Sequence, residues 1–453
     1  MSASISTAPG TAPRTPRAAG APDRLERWLR RLHPGVVGLG LFVLAAVVYF
    51  GSNPARHDFY DHFVWQADAF LHGRAEITYP VSDGPYRNDY FQDVLPVAPD
   101  RAQIPFPPLP AVILLPFVAI WGLATNGAAV AAAIGALNVA LCWWMLLGVT
   151  DRRTAALLGT IFYAFGSVAW YAAMLGTTWF LAHVVGSTFL FVAISIAVRA
   201  DGERKAVGRQ LGAGLALGAA ASARLTTIFG APFFVFVGGG GSWLRRAVSA
   251  GVGARFPVLL LLGYNIITTG ELFHPAYDYL YEVEYRPRPE LINPDWAIED
   301  PRYIPQNAAI MLAQPPLTPL LDDPACQGSP LAIGSLLDRE CPLLRPDPIG
   351  MSILLTSPAY LLAVPVLRHA WRRRLVQGAA LATLAIAVFN LMHFSQGWVQ
   401  FGYRFSNDFA PFAVILVTLG IARLGIGIRS VGLVAASVAV NAWGVYWGVT
   451  LGW

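Results

Sequence analysis

Apolar residues fall in long unbroken runs, near 35–51, 107–122, 128–149, 154–174, 178–199, 210–223, 226–238, 252–268, 350–367, 375–394, 409–424 and 431–450. Most approach the roughly 20 residues that an α-helix needs to cross a hydrocarbon core. The apolarity is continuous and does not alternate, which excludes a transmembrane β-barrel, whose strands switch between lipid and lumen at every residue. The pattern predicts an all-α polytopic membrane protein. The run at 107–122 is the weak member, because Pro107, Pro108, Pro110 and Pro116 lie within it. Proline removes amide donors and breaks helices, so a re-entrant or juxtamembrane element is expected there.

Charge decides between twelve spans and eleven. If all twelve runs crossed, the clusters Asp151-Arg152-Arg153 and Glu203-Arg204-Lys205 would face outward, against the positive-inside bias. Dropping 107–122 leaves about 11 transmembrane helices with the N-terminus cytoplasmic and the C-terminus outside. Most of the 32 basic residues then fall inside, and of the 27 acids only Asp23, Glu26, Asp151, Asp201 and Glu203 do so. The expected organisation is a disordered cytoplasmic tail and basic flank (1–34), then a transmembrane module (35–268) with a first outer loop at 52–127. An extracytoplasmic loop (269–349) and C-terminal transmembrane helices (350–453) follow. The second loop is acidic and Pro-rich, with a helix expected around YIPQNAAIMLAQ (303–314). Gly214 and Gly218 form a small-xxx-small pair that reads as a helix-packing surface.

Composition agrees: 55% of residues are hydrophobic and 13% charged. The net charge of +5 is scattered in short clusters between runs, so it reads as topology and gives no sign of nucleic-acid binding. Lys205 is the sole lysine, which leaves phosphate or carboxylate contacts to arginine. Of three cysteines, Cys142 lies in a span and reads as packing. Cys326 and Cys341 share the second outer loop, fifteen residues apart, and are expected to form a disulfide in an oxidising compartment, stiffening the loop by roughly 3 kcal/mol. His183, His393 and Asn265 lie near span ends and read as hydrogen-bonded packing residues. There is no HExxH, dinucleotide fingerprint, GxSxG or P-loop.

The strongest chemical signal is HDFYDHFVWQADAF (57–70), directly after the first run. At helical spacing Phe59, Phe63 and Phe70 form an apolar stripe, and Asp58, Asp61, Trp65 and Asp68 a polar one with His62 at its edge. That predicts a helix lying in the interface, with phenylalanines toward lipid and Asp68 as solvated surface. Asp58 and Asp61, about one turn apart, repel each other and raise the proton affinity of one, as a general base or a seat for Mg or Mn requires. Asp89 and Asp93 (NDYFQD) lie further along the same loop and are candidates for a second acid.

An acidic, aromatic-rich helix after the first span, followed by the proline-rich segment IPFPPLPAVILLPF, resembles the GT-C class of glycosyltransferases. The resemblance is to the branch related to protein mannosyltransferases and aminoarabinose transferases. YDHFVWQADAFLHGR is similar to that family's first-loop acidic motif and FPPLPAVILLPFVAIWG to its His-Pro-Pro-Leu segment. GLALGAAASARLTTIFGAPFF (214–234) and GYRFSNDFAPFAVIL (402–416) resemble further family segments. This sequence has Asp61-His62 where the family has Asp-Glu, and Phe106 where it has the His before Pro-Pro.

The resemblance implies transfer of a sugar from a polyprenyl-phosphate donor to an acceptor hydroxyl on the outer face, usually with inversion. Asp61, and second Asp58, match the position of the general base. The departing lipid phosphate needs cations, and Arg224 and Arg404 stand at outer span ends where positive charge is otherwise disfavoured. Tyr403 and His62 are the expected sugar contacts beside them. No cofactor is required by the motifs. The partners implied are the lipid-linked donor, membrane lipids, and a cell-envelope glycan, lipid or protein as acceptor, in a bacterial inner membrane. Two alternatives stand beside this reading: a multispan transporter or flippase, and a ligase or polymerase of lipid-linked saccharides. Clustering of ionisable residues at one face favours the enzyme over a transporter, which needs them near the midplane.

Overall fold

The structure, a computed structural model, describes residues 21–55, 60–78, 93–282, 295–397 and 399–453. Asp58 and Asp89 lie outside the described residues. Helix α1 (Ala21–Arg31) precedes α2 (Pro34–Ser52), α3 (His62–Leu71), α4 (Leu109–Trp121), α5 (Gly127–Val149), α6 (Arg153–Phe165) and α7 (Ala169–Leu175). The middle of the chain contributes α8 (Thr178–Ala200), α9 (Val207–Ala221), α10 (Ala231–Phe236), α11 (Trp243–Thr269) and α12 (Ala276–Leu280). The second loop holds α13 (Ile304–Ala313) and α14 (Pro319–Asp322); α15 (Ile353–Thr356), α16 (Val364–His369), α17 (Arg374–Met392), α18 (Ser406–Leu424) and α19 (Ile428–Leu451) complete the chain. A small antiparallel sheet in the first loop pairs β1 (Ile77–Thr78) and β2 (Leu95–Ala98) on either side of β3 (Arg101–Gln103).

Among the described residues seven helices, α2, α5, α8, α11, α17, α18 and α19, are long and apolar enough to cross a membrane. The pair α6 and α7, bent by 48° at Gly166-Ser167-Val168, makes an eighth if it is one span. The other three predicted segments are short or broken. Run 210–223 becomes the fifteen-residue α9. Run 226–238 becomes a 3-10 turn over Leu225–Gly230 followed by α10, with Pro232 at its start. Run 350–367 divides into α15, a 3-10 turn at Pro358–Ala363 and α16. By length and composition alone the helices among the described residues give seven spans, or eight with the bent pair; the other three expected segments are present as short or proline-interrupted helices, whose breaks hydropathy does not register.

The core surrounds α8 and α18, the most enclosed of the long helices. Gly214 and Gly218 let α9 meet α11 backbone to backbone: a Cβ on either would stand 1.9 Å from the Ala250 carbonyl oxygen or 2.4 Å from that of Ala254. Cys142 is buried in this core. Residues 21–31, assigned from sequence to the tail and basic flank, form α1. Glu26 ties that helix to α6 by accepting hydrogen bonds from the amides of Arg153 (3.1 Å) and Thr154 (2.8 Å), two of the donors a helix start leaves unpaired.

The first-loop helix departs from expectation. Alternation of acids and phenylalanines predicted α3 in the interface, yet Phe63, Val64, Trp65, Gln66, Ala67 and Ala69 are all buried. Phe63 packs on Phe106 (ring centroids 5.9 Å apart), so its face turns to protein and not to lipid. Helix α4 covers α3, a long-range contact that helical periodicity does not encode. Asp68 is no freely solvated acid either: it lies 3.9 Å from Arg74 and 3.6 Å from His72.

Candidate active site

The first two turns of α8, Thr178-Trp179-Phe180-Leu181-Ala182-His183, touch each part of a polar cluster at the end of the bundle that carries the long loops. The helix starts where it does because Gly176 ends α7 in the left-handed region (φ +61°), with Ala128 so close that a Cβ would lie 2.5 Å from its Cα. Thr178 then holds the first loop: its amide and hydroxyl donate to the Tyr60 carbonyl (3.1 and 2.5 Å), and the His62 amide donates to its oxygen (3.1 Å). His62 Nδ1 lies 2.9 Å from the same oxygen. The imidazole is fully buried among Tyr60, Trp65, Phe106 and Trp179.

The two described candidate acids have different surroundings. Asp61 precedes α3 and is 9% exposed; its Oδ1 lies against Gly127, the first residue of α5, 2.9 Å from where a Cβ would stand. The start of a helix favours a negative charge. Asp93 instead accepts a hydrogen bond from the Trp179 indole (2.7 Å). Burial pushes the Asp93 carboxyl above the usual range, opposed in part by His62, the Trp179 bond, Arg404 and His393. Its backbone is left-handed (φ +57°), and Val399 (φ +55°) is the other such non-glycine among the described residues. For a β-branched valine that conformation is strained. Val399 lies in the turn leading to Arg404, and strain of this kind gathers at functional sites.

The cations converge from the other side. Arg224 and Arg404 flank one ring, with guanidinium carbons 4.9 and 5.2 Å from the Phe405 centroid, and so stand no more than about 10 Å apart. Arg404 also lies over Phe180 (5.8 Å), and a Cβ on Gly397 would meet its guanidinium at 2.7 Å. Arg224 donates through Nε to Asp408 (3.2 Å), which leaves its terminal nitrogens directed elsewhere, and its side chain is 24% exposed. Burial raises the Tyr277 phenol, whose ring packs edge-on against Phe106 (6.3 Å).

Sequence reasoning missed the hub of this cluster. Asp408, fully buried, accepts hydrogen bonds from Arg224, Thr226 (2.7 Å) and Asn390 (3.2 Å), and its Oδ1 lies 2.7 Å from His183 Nδ1. With Asp408 itself in α18, four segments meet here: α8, the turn at 224–226, α17 and α18. The available signal was an acid in the apolar stretch FSNDFAPF, since intramembrane charge is expensive and paired. Its salt bridge comes from Arg224. Tyr403 is a correction as well. Its ring is wholly buried and its hydroxyl donates to Gln396 (2.8 Å), so no face is open to stack on a sugar.

Among the described residues no three His, Cys, Asp or Glu side chains come together as a metal site. Cys326 and Cys341 are joined in a disulfide (Cα atoms 5.5 Å apart), far along the chain from the cluster.

The fold is that of a polytopic α-helical membrane protein. Among solved structures, ArnT from Cupriavidus metallidurans bound to undecaprenyl phosphate is similar with a TM-score of 0.53 at 14% identity, over 93% of this chain and 77% of ArnT. The oligosaccharyltransferase of Archaeoglobus fulgidus is a weaker likeness, with a TM-score of 0.44 and 12% identity over 91% of this chain and 55% of its own, and adds nothing to the fold assignment. No family model matches the chain. No curated protein sequence matches it either.

Proposed function

We propose that the protein is a membrane glycosyltransferase that moves a sugar from a polyprenyl-phosphate carrier to an acceptor hydroxyl on the extracytoplasmic side. The observation that carries this is the convergence, on the first two turns of α8, of two arginines sharing Phe405 and of a half-buried first-loop acid. Arg224 and Arg404 suit a lipid phosphate, since guanidinium matches phosphate oxygens with paired donors. The ArnT likeness, a protein solved with undecaprenyl phosphate, supports the same ligand class.

In this reading a first-loop aspartate takes the proton of the acceptor hydroxyl as its oxygen attacks the anomeric carbon. The bond from that carbon to the phosphate oxygen breaks with inversion. Polyprenyl phosphate leaves with the electron pair, its charge met by Arg224 and Arg404. Burial gives Asp93 the higher proton affinity a base needs. The base is therefore assigned to Asp93, with Asp61 as the second acid.

The test is release of polyprenyl phosphate by purified protein in nanodiscs supplied with a radiolabelled polyprenyl-phosphate sugar. Asp93→Asn should lower turnover by roughly 10²–10⁴-fold, the range of general base catalysis. Asp61→Asn should lower it less. Turnover left intact by both substitutions would sink the mechanism. Movement of the labelled lipid across the bilayer without release would replace the enzyme by a flippase.

A further inference from the structure

We infer that the tip of the disulfide-closed loop, residues 328–337, inserts among the lipid acyl chains of the leaflet on the loop-bearing side. The inference rests on the membrane fold and not on the proposed reaction.

Three observations lead to it. The first is chemical: GSPLAIGSLL carries no charge, and it turns Leu331 (71%), Ile333 (89%) and Leu337 (52%) away from the protein. Charges stand only at its shoulders, at Asp322 and Asp323 before Cys326 and at Asp338, Arg339 and Glu340 before Cys341. The Cys326–Cys341 bond closes the loop at the level where polar sequence gives way to apolar.

The second is depth. The tip hangs on α19 by two hydrogen bonds, from the Trp443 indole to the Leu336 carbonyl (3.3 Å) and from the Tyr446 hydroxyl to the Leu337 carbonyl (2.8 Å). Helix α19 has 24 residues, about 36 Å of helix for a hydrocarbon layer of about 30 Å. It ends at Leu451, beside the same end of the bundle as the start of α18 and the candidate site. Trp443 and Tyr446 thus leave the helix about 12 and 8 Å before its end, below the rim of the hydrocarbon layer. Tryptophan and tyrosine favour that boundary, and here they hold the tip at it.

The third is the backbone. A segment that enters lipid must satisfy its own amides and carbonyls, because no water is there to do so. The Ser335 amide donates to the Ala332 carbonyl (3.0 Å), Leu337 to Gly334 (3.0 Å) and Leu343 to Ser335 (2.8 Å). The Ser335 hydroxyl donates to the Pro330 carbonyl (3.2 Å) and receives the Ala332 amide (3.3 Å). The two aromatic donors of α19 take the next two carbonyls. The amides of Leu331, Ile333 and Gly334 have no partner among these bonds, so the backbone stays at the watered head-group boundary while the side chains of Leu331, Ile333 and Leu337 enter the acyl layer. Insertion would fix the height of the second outer loop at the level where a lipid-linked head group meets the protein.

The test is nitroxide accessibility in the full-length protein, reconstituted in vesicles of phosphatidylethanolamine and phosphatidylglycerol. Ile333→Cys and, as an independent site, Leu331→Cys carry the label. The oxidised pair and buried Cys142 leave the unsubstituted chain as a background control. Collision with oxygen should exceed collision with a water-soluble nickel chelate several-fold at both positions, and the order should reverse at Arg339→Cys. Nickel accessibility at 331 and 333 equal to that at 339 would place the tip in water and overturn the inference. Shielding from both reagents would show that a protein surface, a second copy or a partner, covers the tip, and would overturn it equally.

Discussion

Asp408→Ala removes the one acid that four segments share inside the bundle. The carboxylate is fully buried and faces His183, Arg224, Thr226 and Asn390 at 2.7–3.2 Å. Breaking a buried ion pair by deleting one partner costs about 3–5 kcal/mol, because the other charge is left uncompensated. Arg224 is 24% exposed and regains some hydration, which moves its share toward the lower figure. The abandoned donors of Thr226 and Asn390 add about 1 kcal/mol each where they find no other acceptor. Within a membrane the unfolded reference also finds partners, and such bonds average nearer about 0.6 kcal/mol. The expected loss is about 3–5 kcal/mol, read from equilibrium unfolding in mixed micelles. Asp408→Asn should fall short of it, keeping the volume and one acceptor while turning an amide N–H toward the donors. Because Arg224 acts through the same carboxylate, Asp408→Ala and Arg224→Met should be strongly non-additive. A loss below about 1 kcal/mol, or simple additivity of the two, would refute the role of Asp408 as the anchor of Arg224.

Three further outcomes follow from the geometry. In α9, Gly214→Ala should lower thermal stability in detergent by about 1–3 kcal/mol, because its Cβ meets the Ala250 carbonyl at 1.9 Å. Gly212→Ala, with nothing within 4 Å of its Cβ, should raise stability by roughly 0.5–1 kcal/mol through helix propensity. His274 is held near pKa 4 by burial, and its Nδ1 accepts the Ala276 amide (3.2 Å), so the folded state needs it neutral. A depressed histidine gives stability that is complete above pH 6.5 and is lost as pH falls toward 4. Hydrogen-exchange protection of residues 271–282, relative to the intrinsic rate at each pH, should therefore fall over that window and stay flat in His274→Asn. The acid limb of kcat/KM should lie above the ordinary aspartate range, because burial raises Asp93 and the base must be ionised, and should vanish in Asp93→Asn.

What could be read from the sequence was local. The apolar runs, the failure of 107–122 as a span, and the Gly214/Gly218 surface are each decided by residues within a few turns of one another. The bends at Gly166 and Pro358 were not legible, because an interrupted helix keeps its hydropathy. Distance along the chain hid the rest. His183 and Asp408 are 225 residues apart, and no short motif joins them. The opening helix misled for a related reason. Acids and aromatics at helical spacing describe an interfacial helix only when nothing covers it, and α4 covers α3. Tyr403 read as a sugar platform from its neighbour Arg404, but successive residues face different ways, and its ring went to the core.

The charges of the cluster also say how the proposed reaction would couple binding to chemistry. Arg404 is one of the influences that hold the Asp93 proton affinity down against burial. A phosphate seated between the arginines cancels that influence and adds repulsion of its own, so the aspartate becomes the stronger base when the donor is bound. The same anion, once it departs, restores the arginine's pull and favours loss of the proton just taken from the acceptor. Binding of undecaprenyl phosphate should then be accompanied by proton uptake in lightly buffered nanodiscs, and Asp93→Asn should abolish that uptake while leaving the lipid bound. Uptake that persists in Asp93→Asn would assign the proton to another group and break the proposed link between the phosphate seat and the base.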